Sequence, residues 1–229
     1  MALSMSQTLP APSATTATLR HPVAKGWLVH CVTSLGAVCG MFGIITVADG
    51  QPRLAIMWLA IAMVLDGIDG PVARAWNVRD HVPRIDGYTL DLVVDYVTCI
   101  VVPVIFLHAF DMLPQGWSLV VGAFVLFTSA LWMSRTDQMT DDHWFNGFPA
   151  TWNLVVAPLY LCGADPWISF AVVLLFCGLT MSNFKFVHPM QVTADRPLTM
   201  SVTVVWLAVM TAVTVTLPTV PVIAKIVII

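Results

Sequence analysis

Charge is what this sequence has least of. Charged residues make up 10% of its 229 positions, where a soluble domain carries about a quarter. Hydrophobic residues make up 58%, and mean hydropathy is +0.84. This composition excludes an ordinary soluble domain and places the chain in the membrane class. Ten basic residues against thirteen acidic ones leave a formal net charge of −3. There is no global basic field of the kind that recruits nucleic acid. Glutamate is absent, so every acidic residue is an aspartate. The cysteines (Cys31, Cys39, Cys99, Cys162 and Cys177) stand in apolar stretches without a CxxC pair or a Cys/His metal spacing. They read as small buried hydrophobes rather than zinc ligands or a disulfide framework. Residues 1–24 have no basic start followed by an apolar run, so they do not read as a signal peptide. They are expected to form a mobile cytoplasmic tail, with any interfacial helix around 18–25 weakened by Pro22.

What is there is apolar sequence in long runs. A bilayer core takes roughly 20 apolar residues as helix. Candidate spans are 26–49, 53–76, 88–110, 116–134, 150–164, 166–185 and 199–217. A last stretch, 218–229, is interrupted by Pro218 and Pro221 and reads as an incomplete eighth. No soluble insertion divides them, and no internal repeat is evident. Residues 25–229 therefore read as one all-α integral membrane domain, a polytopic bundle of about seven to eight spans. Arg20 and Lys25 precede the first span, and Arg74, Arg79 and Arg84 follow the second. Arg135 follows the fourth, and Lys185 and Arg196 follow the sixth. The positive-inside rule puts these connections and the N-terminus in the cytoplasm.

Against this background the carboxylates of the second and third spans are out of place. One span ends Asp66-Gly-Ile-Asp69-Gly70-Pro-Val-Ala73-Arg74, and the next opens Gly87-Tyr-Thr-Leu-Asp91-Leu-Val-Val-Asp95. An Asp at a span's centre costs about 2.5–3.5 kcal/mol, and less near the interface. Four together still need compensation. Spacings of three (Asp66, Asp69) and four (Asp91, Asp95) put each pair on one helical face. An antiparallel helix pair would bring the two pairs together, and a hard divalent cation would relieve their repulsion. Two such ions roughly 3.5–4 Å apart would form a clamp suited to phosphoryl chemistry. Gly70 and Ala73 leave room beside the carboxylates, and Arg74 suits a phosphate. Singly, such small residues more often just help helices pack. A structural role does not account for four carboxylates without four matching cations.

The pattern Asp66-x2-Asp69-Gly70-x2-Ala73-Arg74 … Gly87-x3-Asp91-x3-Asp95 resembles the signature of the CDP-alcohol phosphotransferases. The twelve residues between Arg74 and Gly87 are similar to the longer gap of its bacterial phosphatidylcholine-forming branch. So are Val29-His30-Cys31-Val32-Thr33, Thr140-Asp141-Asp142, Gly147-Phe148-Pro149-x2-Trp152-Asn153 and Val187-His188-Pro189. The resemblance runs from about residue 26 onward. It implies a six-helix core and a homodimer in the bacterial inner membrane, with the active site facing the cytoplasm. It also implies a donor, CDP-diacylglycerol, held through two Mn²⁺ or Mg²⁺ ions by Asp66, Asp69, Asp91 and Asp95. Gly70, Ala73, Arg74 and Gly87 would complete the donor site, and Asp95 would be the base. Thr33 would either join the nucleotide pocket or bond a carbonyl of its own helix.

The implied acceptor is choline, whose ammonium has no N–H to donate, so aromatic faces and a carboxylate must recognise it. Tyr88, Tyr96, Trp132, Trp144, Phe145, Phe148 and Trp152 lie near the working face. Tyr96, Trp152 and Asn153 are the first choices, with Asp141 as counter-charge. Aromatics at span ends more often belong to the interfacial belt. Another small alcohol, such as serine, glycerol phosphate or inositol phosphate, is the alternative acceptor. A phosphorylated one would need a basic cluster that this chain lacks. A cation-coupled transporter predicts inverted repeats and midplane breaks, and neither is evident.

Overall fold

The computed structural model describes residues 14–190, 192 and 196–217, with side chains from Pro22 onward and, in the last helix, from Pro197. Residues 1–13, Gln191 and the candidate eighth span 218–229 lie outside that description. The fold is almost entirely helical, as the composition implies. Helix α1 (Ala14–Ala48) runs through Pro22, so the segment expected as a tail is helical from Ala14. A tight turn at Asp49–Gln51 leads to α2 (Pro52–Ala75), which opens with a proline in its first turn, where no N–H is needed. The short α3 (Val78–His81) lies in the basic connection that follows. The third span is continuous from Gly87 to Ala109 but not uniform. It is α4 (Gly87–Asp95), a π-helical turn (Tyr96–Val101) and α5 (Val102–Ala109).

Among the described residues four helices are long and apolar enough to cross a membrane: Pro22–Ala48, Pro52–Ala75, Gly87–Ala109 and Pro197–Val215, the last within α9 (Arg196–Val215). The other three expected spans are shorter apolar helices: α6 (Ser118–Met133), α7 (Asn153–Cys162) and α8 (Pro166–Thr180). The 10 residues of α7 span only about 15 Å, half the hydrocarbon core. The backbone explains the shortening. Ala150 has φ 56°, left-handed for a residue with a side chain, and the helix begins only beyond it. After Thr180 the chain leaves α8 to form strand β2 (Lys185–Phe186), which pairs antiparallel with β1 (Phe145–Asn146).

Irregular backbone beside a membrane core must find partners. The Gly147 amide donates to Phe184 O at 2.9 Å, that of Phe148 to Leu179 O at 3.1 Å and that of Asn146 to Gln138 O at 2.8 Å. Gly147 has φ +87°, and a Cβ there would lie 2.7 Å from the Thr180 carbonyl oxygen. Only glycine fits so tight a join.

Helix α1 is the scaffold. Both α2 and α4 pack along it, whereas direct contact between α2 and α4 is sparse. The expected antiparallel pair is thus a triad with α1 on one side, and this arrangement leaves a cleft between the carboxylate-bearing helices. Close approach of α4 to α1 depends on Gly36, where a Cβ would fall 2.6 Å from Val94 Cγ1. The hydrophobic core lies farther along, around Ile100, Val102, Phe106, Val125, Trp152 and Val173.

The basic connections meet on one face. Lys25 Nζ sits 5.2 Å above the Trp76 ring. Arg135 reaches Ser182 O and Asn183 Oδ1, and Lys185 pairs with Asp142 at 2.8 Å.

Candidate active site

The carboxylates occupy the cleft between α2 and α4, on the side closed by α1. Asp66, Asp91 and Asp95 each place one oxygen so that all three lie within 4.8 Å of one another. Asp66 is exposed, and Asp91 and Asp95 are half-buried. Asp69 is buried and accepts a hydrogen bond from Thr33 Oγ1 across the α1–α2 contact. The Thr33 hydroxyl also lies 3.2 Å from Val29 O, so both expected roles, local bond and site contact, converge on one atom. Thr33, Gly36, Ala62, Val94 and Thr98 line the cleft with the four carboxylates. Its cavity volume is about 10 Å³, roughly one water or one ion.

Among the described residues no basic side chain forms an ion pair with these carboxylates, and of the four the charge of Arg74 reaches only Asp69. Among the described residues the ion pairs are Arg135–Asp137 and Lys185–Asp142, both on the connections. At 4.8 Å, two unit charges repel by about 3 kcal/mol at an effective dielectric near 20. A hard divalent cation with oxygen ligands fits this donor set and would turn the repulsion into attraction. Asp66, Asp91 and Asp95 could hold it directly. Asp69 flanks the group, with one oxygen committed to Thr33.

The remaining signature residues surround the cleft. The Arg74 guanidinium folds back over Gly70, with Nη1 3.4 Å from where a Cβ would stand. Gly87 faces the edge of His30, whose Cε1 lies 3.3 Å from its would-be Cβ. His30 is buried, one turn before Thr33 on α1, and its Nε2 has no hydrogen-bond partner among the described residues. The sequence gives little reason to single it out, because the histidines lack ligand spacing. Its signal is the i, i+3 relation to Thr33. Immediately after Asp95 the helix widens into the π turn, a feature often found at functional sites. Cys99 Sγ lies 3.8 Å from Asp95 Oδ1.

The expected choline residues are not gathered at this cleft. Trp152 is 0% exposed, donates its indole N–H to Ser129 Oγ at 2.8 Å and packs edge-on against Phe148. It is a core residue, with no face open to an acceptor. Asn153 is also buried, and its Oδ1 accepts from the Leu154 amide. Tyr96 turns toward α6, its hydroxyl 3.5 Å from Leu126 O. Asp141 is exposed on the turn beside Asp142.

The mouth of the cleft is built instead by the two connections that carry β1 and β2. Met190 Cε lies 3.3 Å from the would-be Cβ of Gly67 on α2. His188 stacks on Phe145, ring centroids 4.5 Å apart, and Phe145 packs edge-on against Trp132. Burial first, then the charge of Arg74, holds His188 down at about 4. Lys185 and Thr140 together hold the Asp142 carboxyl at about 2. Tyr88, at the start of α4, donates its hydroxyl to Gln138 Oε1 on the other connection.

The chain matches the family model described as CDP-alcohol phosphatidyltransferase over residues 27–213. A Pseudomonas aeruginosa protein named phosphatidylcholine synthase is 36% identical over 184 residues, 80% of this chain and 77% of its own. Proteins of the same name from Mesorhizobium japonicum and Rhizobium meliloti are 33% and 34% identical, covering 82% and 80% of this chain and 70% and 76% of theirs. The resemblance carried by the aspartate signature is therefore matched along most of the sequence.

Proposed function

The chain belongs to the CDP-alcohol phosphatidyltransferase family, and from that premise we propose that it moves the phosphatidyl group of CDP-diacylglycerol to choline, giving phosphatidylcholine and CMP. The observation that carries the chemistry is the convergence of Asp66, Asp91 and Asp95 within 4.8 Å in one cleft. The choice of acceptor is supported by the shared name of relatives that cover about four fifths of this chain. It is supported too by the absence of Lys and Arg from the cleft lining. An acceptor bearing its own phosphate would need cations there.

In this reading the donor's diphosphate lies at the carboxylate cleft, with Arg74 bonding a phosphate oxygen. The nucleotide lies along Gly70, Ala73 and Gly87, beside Thr33. Asp95 accepts the proton of the choline hydroxyl. The choline oxygen then forms a bond to the phosphorus that bears diacylglycerol. The bond from that phosphorus to the bridging oxygen breaks, and CMP leaves with the electron pair. Asp69, steadied by Thr33, keeps the α1 side of the cleft in place. Bound Mg²⁺ or Mn²⁺, two ions in this reading, would supply the positive charge that stabilises the diphosphate and the departing CMP. The Tyr88–Gln138 and Gly67–Met190 contacts bring the connections that carry β1 and β2 to the mouth. We place this mouth on the cytoplasmic side of the inner membrane, where the basic connections gather.

The test separates base from ligand. Asp95→Asn is expected to lower turnover at least a hundredfold, while binding of CDP-diacylglycerol weakens by less than tenfold. Turnover within tenfold of wild type would remove Asp95 from the role of base.

A further inference from the structure

Tyr88 has an arrangement that membrane-interface tyrosines do not need. Its side chain is 59% exposed, yet its hydroxyl is already bonded to Gln138 Oε1. Gln138 is buried, and its own amide donates to Trp132 O at 3.1 Å and Met133 O at 2.8 Å. Its backbone carbonyl accepts from the Asn146 amide. The ring is therefore held at both ends, by the first turn of α4 and by a fixed side chain on the connection 134–149. A belt tyrosine turns its hydroxyl to headgroups and water. Here the hydroxyl is turned inward, and the residue stays largely exposed one turn before the cleft carboxylate Asp91.

Two carboxylates lie near that ring. Asp86 caps α4, accepting from the Tyr88 amide at 3.2 Å and from Thr89 Oγ1 at 2.7 Å. Asp91 stands one turn onward, in the cleft. The charges of Asp91 and Asp86 reach the phenol, and that of Arg79 reaches Asp86. A rigid, exposed aromatic residue beside a carboxylate suits a cation that has no hydrogen to donate. The distance also fits. Asp95 lies seven residues beyond Tyr88, about 10 Å along the helix axis. A cation within about 6 Å of the ring centroid, extended by a two-carbon arm, brings a hydroxyl to Asp95.

We propose that Tyr88, beside Asp86 and one turn before the cleft carboxylate Asp91, is the specificity-determining face for the quaternary ammonium of the acceptor. This inference rests on the choline reading above and names the residue that enforces it. It moves recognition from Trp152 and Tyr96, which the fold uses for packing, to the start of α4.

The experiment compares choline with 3,3-dimethyl-1-butanol, its uncharged isostere, by kcat/KM. Wild type is expected to prefer choline. Tyr88→Leu is expected to reduce that preference by about three- to thirtyfold, while the KM for CDP-diacylglycerol shifts less than twofold. Tyr88→Trp, which keeps an aromatic face, is expected to retain most of the preference. A preference in Tyr88→Leu within twofold of wild type would overturn the inference. Should Tyr88→Leu fail to fold, progressively fluorinated phenylalanines at position 88 keep the shape and drain the ring's negative face. A stepwise fall in preference supports the assignment, and a flat series overturns it. Wild type that turns over no choline at all would instead sink the functional reading on which this inference stands.

Discussion

Neutralising one carboxylate of the cleft should make the metal-free protein more stable and weaken its response to metal. Asp66, Asp91 and Asp95 form three close pairs, each repelling by up to about 3 kcal/mol at 4.8 Å when both members are ionised. Asp91→Asn removes two of the three, a ceiling of about 6 kcal/mol. Asp66 is exposed, so water and salt screen much of this. If a third survives, about 2 kcal/mol remains, or roughly 4–8 °C in the melting midpoint for a chain of this length. The assay is thermal unfolding in detergent, followed by tryptophan fluorescence, with EDTA and then with Mn²⁺. In EDTA the variant should melt above wild type. With Mn²⁺ wild type should gain several degrees and the variant much less, because its site has lost a ligand. A variant that melts lower in EDTA, or keeps the full gain with Mn²⁺, would refute the idea that these carboxylates are held together for a cation.

Trp152→Ala should destabilise the fold by about 3–5 kcal/mol, as expected for a fully buried aromatic. The folded fraction should keep its choline KM within about twofold. A selective rise in choline KM without loss of stability would return Trp152 to the acceptor site. Stability should also depend on His188. Its folded value near 4 lies below its ordinary 6.5, so the unfolded chain takes up the proton first. The contribution, a ceiling of about 3 kcal/mol that solvent screening at this partly exposed site lowers, is present above pH 6.5 and lost as pH falls toward 4. His188→Gln should flatten denaturant midpoints across that window, and an unchanged slope would contradict the assignment.

Much of the site was legible because it is written in local spacing. Asp66 and Asp69, and Asp91 and Asp95, share faces by helical geometry alone, and the structure gathers them as that geometry requires. The α1 contribution was half legible. Thr33 could be named, but its bond to Asp69 joins residues 36 positions apart. The choline residues are less legible for a related reason. Sequence shows that an aromatic lies near the working face, not whether its ring is packed or open. Trp152 and Tyr88 differ only through partners such as Ser129 and Gln138, which are 23 and 50 residues away. Span lengths failed at Ala150 and beyond Thr180 because hydropathy counts apolar residues and is blind to backbone direction. The left-handed Ala150 delays the start of α7, and the β1–β2 pairing takes the chain out of helix after Thr180.

The central claim is that this cleft joins choline to the phosphatidyl group of CDP-diacylglycerol. Its most direct test is purified protein in mixed micelles with CDP-diacylglycerol, Mn²⁺ and labelled choline, with serine and glycerol 3-phosphate as competing acceptors. The expected result is CMP release that depends on choline, matched one for one by labelled phosphatidylcholine, and abolished by EDTA. Release of CMP that ignores choline and follows serine or glycerol 3-phosphate would contradict it.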